Sequence, residues 1–304
     1  MDVYLPIAGL SVNGLFIVAL GLLTGLLSGM FGVGGGFLTT PLLMFYGVPP
    51  TVAAASAATQ VTGASVSGML AHTQRGGVDY QIGTVMVGGG VIGTGIGAVL
   101  FRLLQQAGQI DTVINILYVL LLGGIGSIMA RESIQAIIAE FKGVPIPARK
   151  RRHHPLVASL PMRWRFYRSG LYISPLAPLL VGVGAGIITM LLGIGGGFVL
   201  VPAMLYILGM SANVVVGTSL YQILFVTMAT TMMHALTTKS VDIVLAALLL
   251  LGSVIGAQLG AKFALKAKPV YLRLVLAVIV LLVAMRLAVG LGYKPDDIYT
   301  VAPL

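Results

Sequence analysis

Two polar pairs within apolar segments could bind a small anion. Ser56 and Gln60 lie four positions apart, and Thr218 and Gln222 repeat that spacing in the second half of the chain. Residues four apart share one face of a helix, and polar side chains at membrane depth usually face a partner helix or a cavity. Hydroxyl and amide groups can donate hydrogen bonds to oxyanions. We therefore predict that these side chains contact a substrate, with interhelical hydrogen bonding as the alternative.

A glycine-rich motif precedes each polar pair and interrupts an apolar run. Each successive glycine weakens a helix by about 1 kcal/mol relative to alanine, so the chain is expected to break there. A helix that restarts after bare glycine presents free N–H groups to an anion. We predict that the two motifs complete one binding site, and close helix packing is the alternative. The predicted motif residues are Gly34, Gly35, Gly36 and Phe37, and Gly195, Gly196, Gly197 and Phe198.

Cation transport, metal binding and catalysis are disfavoured because the apolar segments lack the residues that these functions need. Every Asp and Glu lies in a loop or at the end of an apolar segment, whereas cation carriers often keep carboxylates at mid-membrane. The chain has no cysteine and no histidine–carboxylate cluster, so we expect no metal, no cofactor and no catalytic residues. His72 and His234 are candidates for proton coupling because histidine titrates near neutral pH. Interfacial anchoring is the alternative for both histidines.

The composition indicates an all-α protein that crosses a membrane several times. Of 304 residues, 58% are hydrophobic and 9% are charged, and several apolar runs reach the roughly 20 residues that a spanning helix needs. A transmembrane β-barrel would instead have short alternating segments. The predicted apolar segments are Ser11–Phe45, Thr51–Thr73, Gln81–Leu103, Ile110–Ala130, Leu171–Leu208, Ala212–Leu236, Val241–Leu265 and Val270–Leu291.

The two halves of the chain resemble each other residue by residue. His72 corresponds to His234 and Asp79 to Asp242, in addition to the glycine motifs and polar pairs. Such repeats are common in secondary transporters, which bind substrate at the repeat interface. We predict a first transmembrane repeat over 1–131, a basic loop over 132–170 and a second repeat over 171–304.

The first and fifth apolar segments are too long for a single crossing. Each could form a hairpin of two short helices, or a full span followed by a half-helix. The hairpin gives each repeat an odd number of crossings, with about three further transmembrane helices, and hence inverted repeats with both chain ends outside. It also leaves more basic residues in the cytoplasm, as the positive-inside tendency favours.

The net charge of +10 has a topological interpretation. Basic residues concentrate in the central loop, where they would stay cytoplasmic and meet anionic lipid headgroups. We therefore expect the bilayer and a small anion as partners, and no nucleic acid.

The duplicated glycine motifs, each followed by a proline (Pro41 and Pro202), resemble those of the sulfite exporter TauE/SafE family of membrane permeases. The small-residue spans that contain Gln60 and Gln222, and the basic central loop, support the resemblance. It implies transport of sulfite, sulfoacetate or related sulfonates across a prokaryotic plasma membrane. We thus predict a secondary transporter of a small sulfur-containing anion, with an anion channel or a carrier of other small organic anions as alternatives.

Overall fold

The computed structural model describes residues 2–74, 76–142, 161–263 and 269–292. Part of the predicted basic loop (143–160) and most of the C-terminal tail (293–304) lie outside these ranges. Two short antiparallel hairpins pair β1 (Asp2–Leu5) with β2 (Leu10–Asn13), and β3 (Trp164–Phe166) with β4 (Leu171–Ile173). The helices are α1 (Gly14–Phe31), α2 (Gly36–Phe45), α3 (Pro50–Thr73), α4 (Tyr80–Gln106), α5 (Ile110–Phe141), α6 (Leu176–Leu192), α7 (Gly197–Tyr206), α8 (Ala212–Met233), α9 (Ile243–Phe263) and α10 (Pro269–Gly292).

Within the described ranges, six helices are long and apolar enough to cross a membrane. The multi-pass helical architecture predicted from composition is therefore confirmed. Helix α3 is also long, but its alanine, serine and threonine content makes it less apolar. Many of its residues are buried by other helices, which explains why it does not need a lipid-compatible surface. These six helices are α1, α4, α5, α8 with its π-helical continuation His234–Thr238, α9 and α10.

Helices α1 and α2 form a re-entrant hairpin. Asn13 caps the start of α1 by accepting hydrogen bonds from the Leu15 and Phe16 N–H groups, and Gly32 ends the helix in the left-handed region (φ 68°). The chain then reverses, and α2 returns to where α1 began. There the ring of Tyr46 stacks on Phe16 at 5.1 Å. The hairpin alternative therefore describes the long first segment.

The two halves have the same order of elements, and the first helix of each half packs mainly against a helix of the other half. Helix α1 packs most extensively on α9, and α6 packs on α4. The α1–α9 contact is parallel, since Gly21 and Gly25 meet the backbone of Leu249 and Ser253 in ascending order. These glycine positions touch carbonyl groups of the partner helix, so the two backbones approach as closely as in other small-residue membrane contacts.

Corresponding helices of the two halves run antiparallel to one another. Thr59 and Thr62 of α3 contact Thr231 and Thr227, respectively, on α8. Helices α5 and α10 cross in the same opposed sense. This packing is compatible with the predicted inverted repeats. It also places α3 and α8 at the centre, beside both glycine motifs.

Candidate functional site

The two glycine motifs meet in the buried centre of the protein. The rings of Phe37 and Phe198 stack with centroids 4.9 Å apart. A β-carbon at Gly36 would lie 2.5 Å from the carbonyl oxygen of Gly193, and Gly197 meets the Val33 carbonyl in the corresponding way. Contacts this close between the two chain segments require glycine, because any side chain would collide with the opposite backbone.

Both short helices begin at this meeting point. Helix α2 starts at Gly36 after Gly35 (φ 60°), and α7 starts at Gly197 after Gly196 (φ 72°). The first N–H groups of a helix have no partner within it, and the helix dipole is positive at that end. Two such ends therefore converge at one place, as a site for negative charge would require.

Two aliphatic side chains cover the bare glycine backbone. Val61 contacts the positions of Gly34, Gly36 and Gly195, and Ile223 contacts those of Gly34, Gly195 and Gly197. Both side chains are fully buried, so the centre is closed in this conformation. Sequence reasoning missed this pair. The available signal was its position, since each residue directly follows one of the paired glutamines.

The glutamines lie beside this closed centre on separate faces. The Gln60 Nε2 group donates a hydrogen bond to Thr24 Oγ1 at 3.1 Å, and its Oε1 atom has no hydrogen-bond partner in the described part of the chain. Among the residues that the structure describes, neither amide atom of Gln222 has a hydrogen-bond partner, although the residue is fully buried. Its Nε2 atom lies close to Gly90 on α4. A buried amide without partners is costly and unusual, so Gln222 is the most conspicuous polar group in the core.

Ser56 and Thr218 are engaged elsewhere, at the starts of α9 and α4. The Ser56 hydroxyl accepts the Asp242 N–H at 3.1 Å, and the Thr218 hydroxyl accepts the Asp79 N–H at 2.9 Å. Each side chain thus holds the start of the other half's fourth helix. The structure therefore brings the two glycine motifs together and leaves these two hydroxyls bonded to backbone.

Asp79 joins the two halves through a buried carboxylate. Its Oδ1 atom caps α4 by accepting the Gln81 and Ile82 N–H groups, at 3.0 and 3.2 Å. Its Oδ2 atom accepts hydrogen bonds from the backbone and hydroxyl of Ser169, in the β3–β4 turn. The carboxylate therefore fixes the helix start and the other half's hairpin simultaneously.

Asp242 has the same arrangement at the opposite end of the protein. Oδ1 caps α9, and Oδ2 accepts the N–H groups of Ile7 and Ala8 in the β1–β2 turn, at 2.9 and 3.4 Å. From sequence, both aspartates were simply acidic residues at segment ends. Their shared position in the repeat was the signal that they act alike.

A family model for the sulfite exporter TauE/SafE matches residues 17–287. The chain belongs to the TauE/SafE family. The match spans both glycine motifs and both glutamines, and it confirms the resemblance inferred from those residues. The protein is thus a membrane transporter of this family.

Curated relatives of this TauE/SafE member include "Probable membrane transporter protein YjnA" of Bacillus subtilis, 27% identical over 89% of this chain and 98% of its own length. A "Probable membrane transporter protein" of Xylella fastidiosa is 28% identical over 86% of this chain and 90% of its length. "Sulfite exporter TauE/SafE family protein 3" of Arabidopsis thaliana is 32% identical over 38% of this chain and 26% of its own length. No solved structure matches the chain.

The two histidines of this TauE/SafE member have different surroundings. His234 is fully buried, and its ring nitrogens contact Thr238 Oγ1 at 3.1 Å and the Met190 carbonyl at 3.0 Å. The ring also lies edge-on to Phe101. His72 is only partly buried, near the end of α3. His234 thus holds the end of α6 close to the second glycine motif, and proton coupling stays a prediction for both.

Proposed function

We propose that this TauE/SafE protein is a secondary transporter of a small sulfur-containing anion, such as sulfite or an organosulfonate. The proposed site lies where the two glycine motifs meet. The observation that carries the proposal is the pair of converging helix N-termini, covered by Ile223, whose neighbour Gln222 has a buried amide with no hydrogen-bond partner among the described residues. An oxyanion could accept hydrogen bonds from that amide and from helix N–H groups. The buried donors would then be satisfied only when substrate is bound.

The closed centre supports a carrier rather than an open channel. Val61 and Ile223 fill the space above the glycines, so an anion can enter only if the halves move apart. Alternating access by rocking of one half against the other provides that movement. In counterflow experiments, a carrier exchanges labelled for unlabelled anion, whereas an open pore dissipates the gradient.

We also propose that the protein resides in a prokaryotic plasma membrane with residues 132–170 in the cytoplasm. The basic character of this segment supports that orientation through the positive-inside tendency. Its arginines and lysines would then contact anionic lipid headgroups. Accessibility of a cysteine introduced at Arg163, in a chain that otherwise has none, tests the orientation.

The decisive experiment removes both amides. The purified double variant Gln60→Ala/Gln222→Ala should transport labelled sulfite, sulfoacetate and methanesulfonate into proteoliposomes about tenfold more slowly, as expected when hydrogen bonds to a charged group are lost. Gln105→Ala, at an exposed position of α4, is the matched control and should transport normally. If the double variant transports every tested anion at the control rate, the glutamines are not part of the site.

A further inference from the structure

A cavity adjoins the glycine motifs from one end of the protein. It has a volume of about 330 Å³ and lies between the end of α1 and helices α5, α7, α8 and α10. Val33 and Phe198 form part of its wall; Val33 directly precedes the first glycine motif, and Phe198 belongs to the second. The cavity therefore ends against the closed centre where the proposed substrate site lies.

Three polar side chains interrupt the mainly apolar wall of this cavity. Arg273 Nη1 lies 3.9 Å from Glu132 Oε2, and the Tyr206 hydroxyl donates a hydrogen bond to the same carboxylate oxygen. The Arg273 and Glu132 side chains are 44% and 31% exposed. At 3.9 Å the ion pair is too long for a hydrogen bond. A guanidinium carries five N–H donors suited to oxyanions, so Arg273 could take another anion.

The opposite end of the protein has a related cavity with different polar residues. This cavity, about 420 Å³, includes Phe45, Asn115 and Arg286. Phe45 corresponds to Tyr206, since each is the last residue of its short helix. Arg286 stacks over the Phe45 ring at 5.6 Å. Both cavities thus contain an arginine of α10, and only the first has a carboxylate among its described lining residues.

We propose that the cavity containing Arg273 is an access vestibule that binds the transported oxyanion before it reaches the glycine motifs. This inference rests on the proposed function. Arg273 and Tyr206 are the recognition groups, and Glu132 is a built-in competitor. Its carboxylate occupies the arginine when no substrate is present and repels an arriving anion. Substrate must therefore compete with Glu132 for Arg273, which keeps the affinity of the vestibule low and favours onward movement.

The competitor role predicts opposite effects for the two partners of the ion pair. Glu132→Gln keeps the shape of the side chain and an acceptor for Tyr206 while removing the negative charge, so it should bind anion more tightly. Arg273→Gln should bind it more weakly. A purely structural ion pair would impair binding in the same direction whichever partner was changed.

The test uses the purified full-length protein in detergent, with sulfite and methanesulfonate as probes and chloride as a comparison. The unfolding temperature is measured as a function of anion concentration, and the concentration that gives half of the maximal rise is the half-saturating concentration. Arg273→Gln should raise this concentration about tenfold, the loss expected for one charge-assisted contact. Glu132→Gln should lower the half-saturating concentration by about the same factor. Tyr206→Phe gives the first cavity the residue found at the corresponding position of the other cavity, and it should raise the half-saturating concentration by less than Arg273→Gln does. Arg102→Gln, an exposed arginine of α4, is the control and should leave it unchanged.

The outcomes separate this inference from the proposed function. If Arg273→Gln and Glu132→Gln bind and transport like Arg102→Gln, the vestibule assignment is wrong while the central site stands. The same conclusion follows if both changes weaken binding. If wild-type protein neither binds nor transports either sulfur anion, the proposed function fails and the vestibule inference fails with it. Binding of chloride with the same dependence on Arg273 would overturn the selectivity of the vestibule for the transported oxyanion.

Discussion

Gln60 and Gln222 occupy corresponding positions in the two halves, yet their surroundings differ. Gln60 donates to Thr24 on α1. In the register that pairs the two glycine motifs, the position of α6 that corresponds to Thr24 is Ala185, which has no hydroxyl. Both amide atoms of Gln222 have no hydrogen-bond partner among the described residues. The repeated backbone thus supports one glutamine bonded to a neighbouring helix and another whose buried amide has no such bond within the described ranges.

The largest effects should come from Asp79 and Asp242, where the halves are alike. Either aspartate changed to alanine loses two capping bonds and two bonds to the other half's hairpin. This should lower the free energy of unfolding by about 3 kcal/mol or more. Denaturant unfolding in micelles measures the effect, with Gln81→Ala at a neighbouring exposed position as control. If only one of the two substitutions lowers the free energy of unfolding, the two aspartates do not have equivalent roles.

The glycine motifs should also respond alike. Gly36→Ala and Gly197→Ala each force a methyl group against the opposite backbone, which should cost about 1–3 kcal/mol or more and abolish transport. Gly88→Ala on α4 meets no atom within 4 Å and should be tolerated or slightly stabilising. Unfolding and transport assays on the three variants make the comparison. Normal transport by Gly36→Ala would show that the contact between motifs is dispensable.

Replacing each glutamine by methionine, which is unbranched and apolar, should change the stability of the protein differently at the two positions. Gln222→Met removes an unpartnered buried amide, so stability should stay constant or rise by about 1 kcal/mol while transport falls. Gln60→Met breaks the bond to Thr24 and should cost about 1 kcal/mol. Thermal unfolding and anion uptake distinguish the two variants. Equal stability changes at both positions would remove the contrast between the halves.

The smallest effects should follow from exchanging the side chains at the two corresponding positions Thr24 and Ala185. Thr24→Ala makes the first half like the second and should cost about 1 kcal/mol, with modest loss of transport. Ala185→Ser places a hydroxyl at the corresponding position of α6, where it can occupy the Gln222 amide. Uptake should then saturate at a higher anion concentration. Unchanged saturation would mean that the Gln222 amide does not bind the anion.

The broken helices could be predicted from sequence because glycine has a local effect. Three glycines within an apolar run disfavour a helix wherever they occur, so the motif of the first half signalled the helix break without any knowledge of packing. The membrane-spanning character followed from composition in the same way.

The roles of Ser56 and Val61 could not be predicted, because their partners are distant in sequence. Ser56 bonds to Asp242 in the other half, and Val61 contacts Gly195 of that half. Periodicity reveals which face of a helix carries a residue but not what that face meets. The same limit applied to Gln222, whose Nε2 atom lies close to Gly90 in the other half.

The packing of the first helix of each half against the other half has a consequence for biosynthesis. Helix α1 leaves the ribosome early, but its main packing partner, α9, begins only at Ile243, after all the other spans except α10. Because synthesis adds about 5–20 residues per second, α1 waits on the order of ten seconds or longer in the bilayer before that partner exists. During this interval its glycine-lined face is exposed to lipid or to the insertion machinery. The native state of the first half therefore forms only after nearly the whole polypeptide has been made.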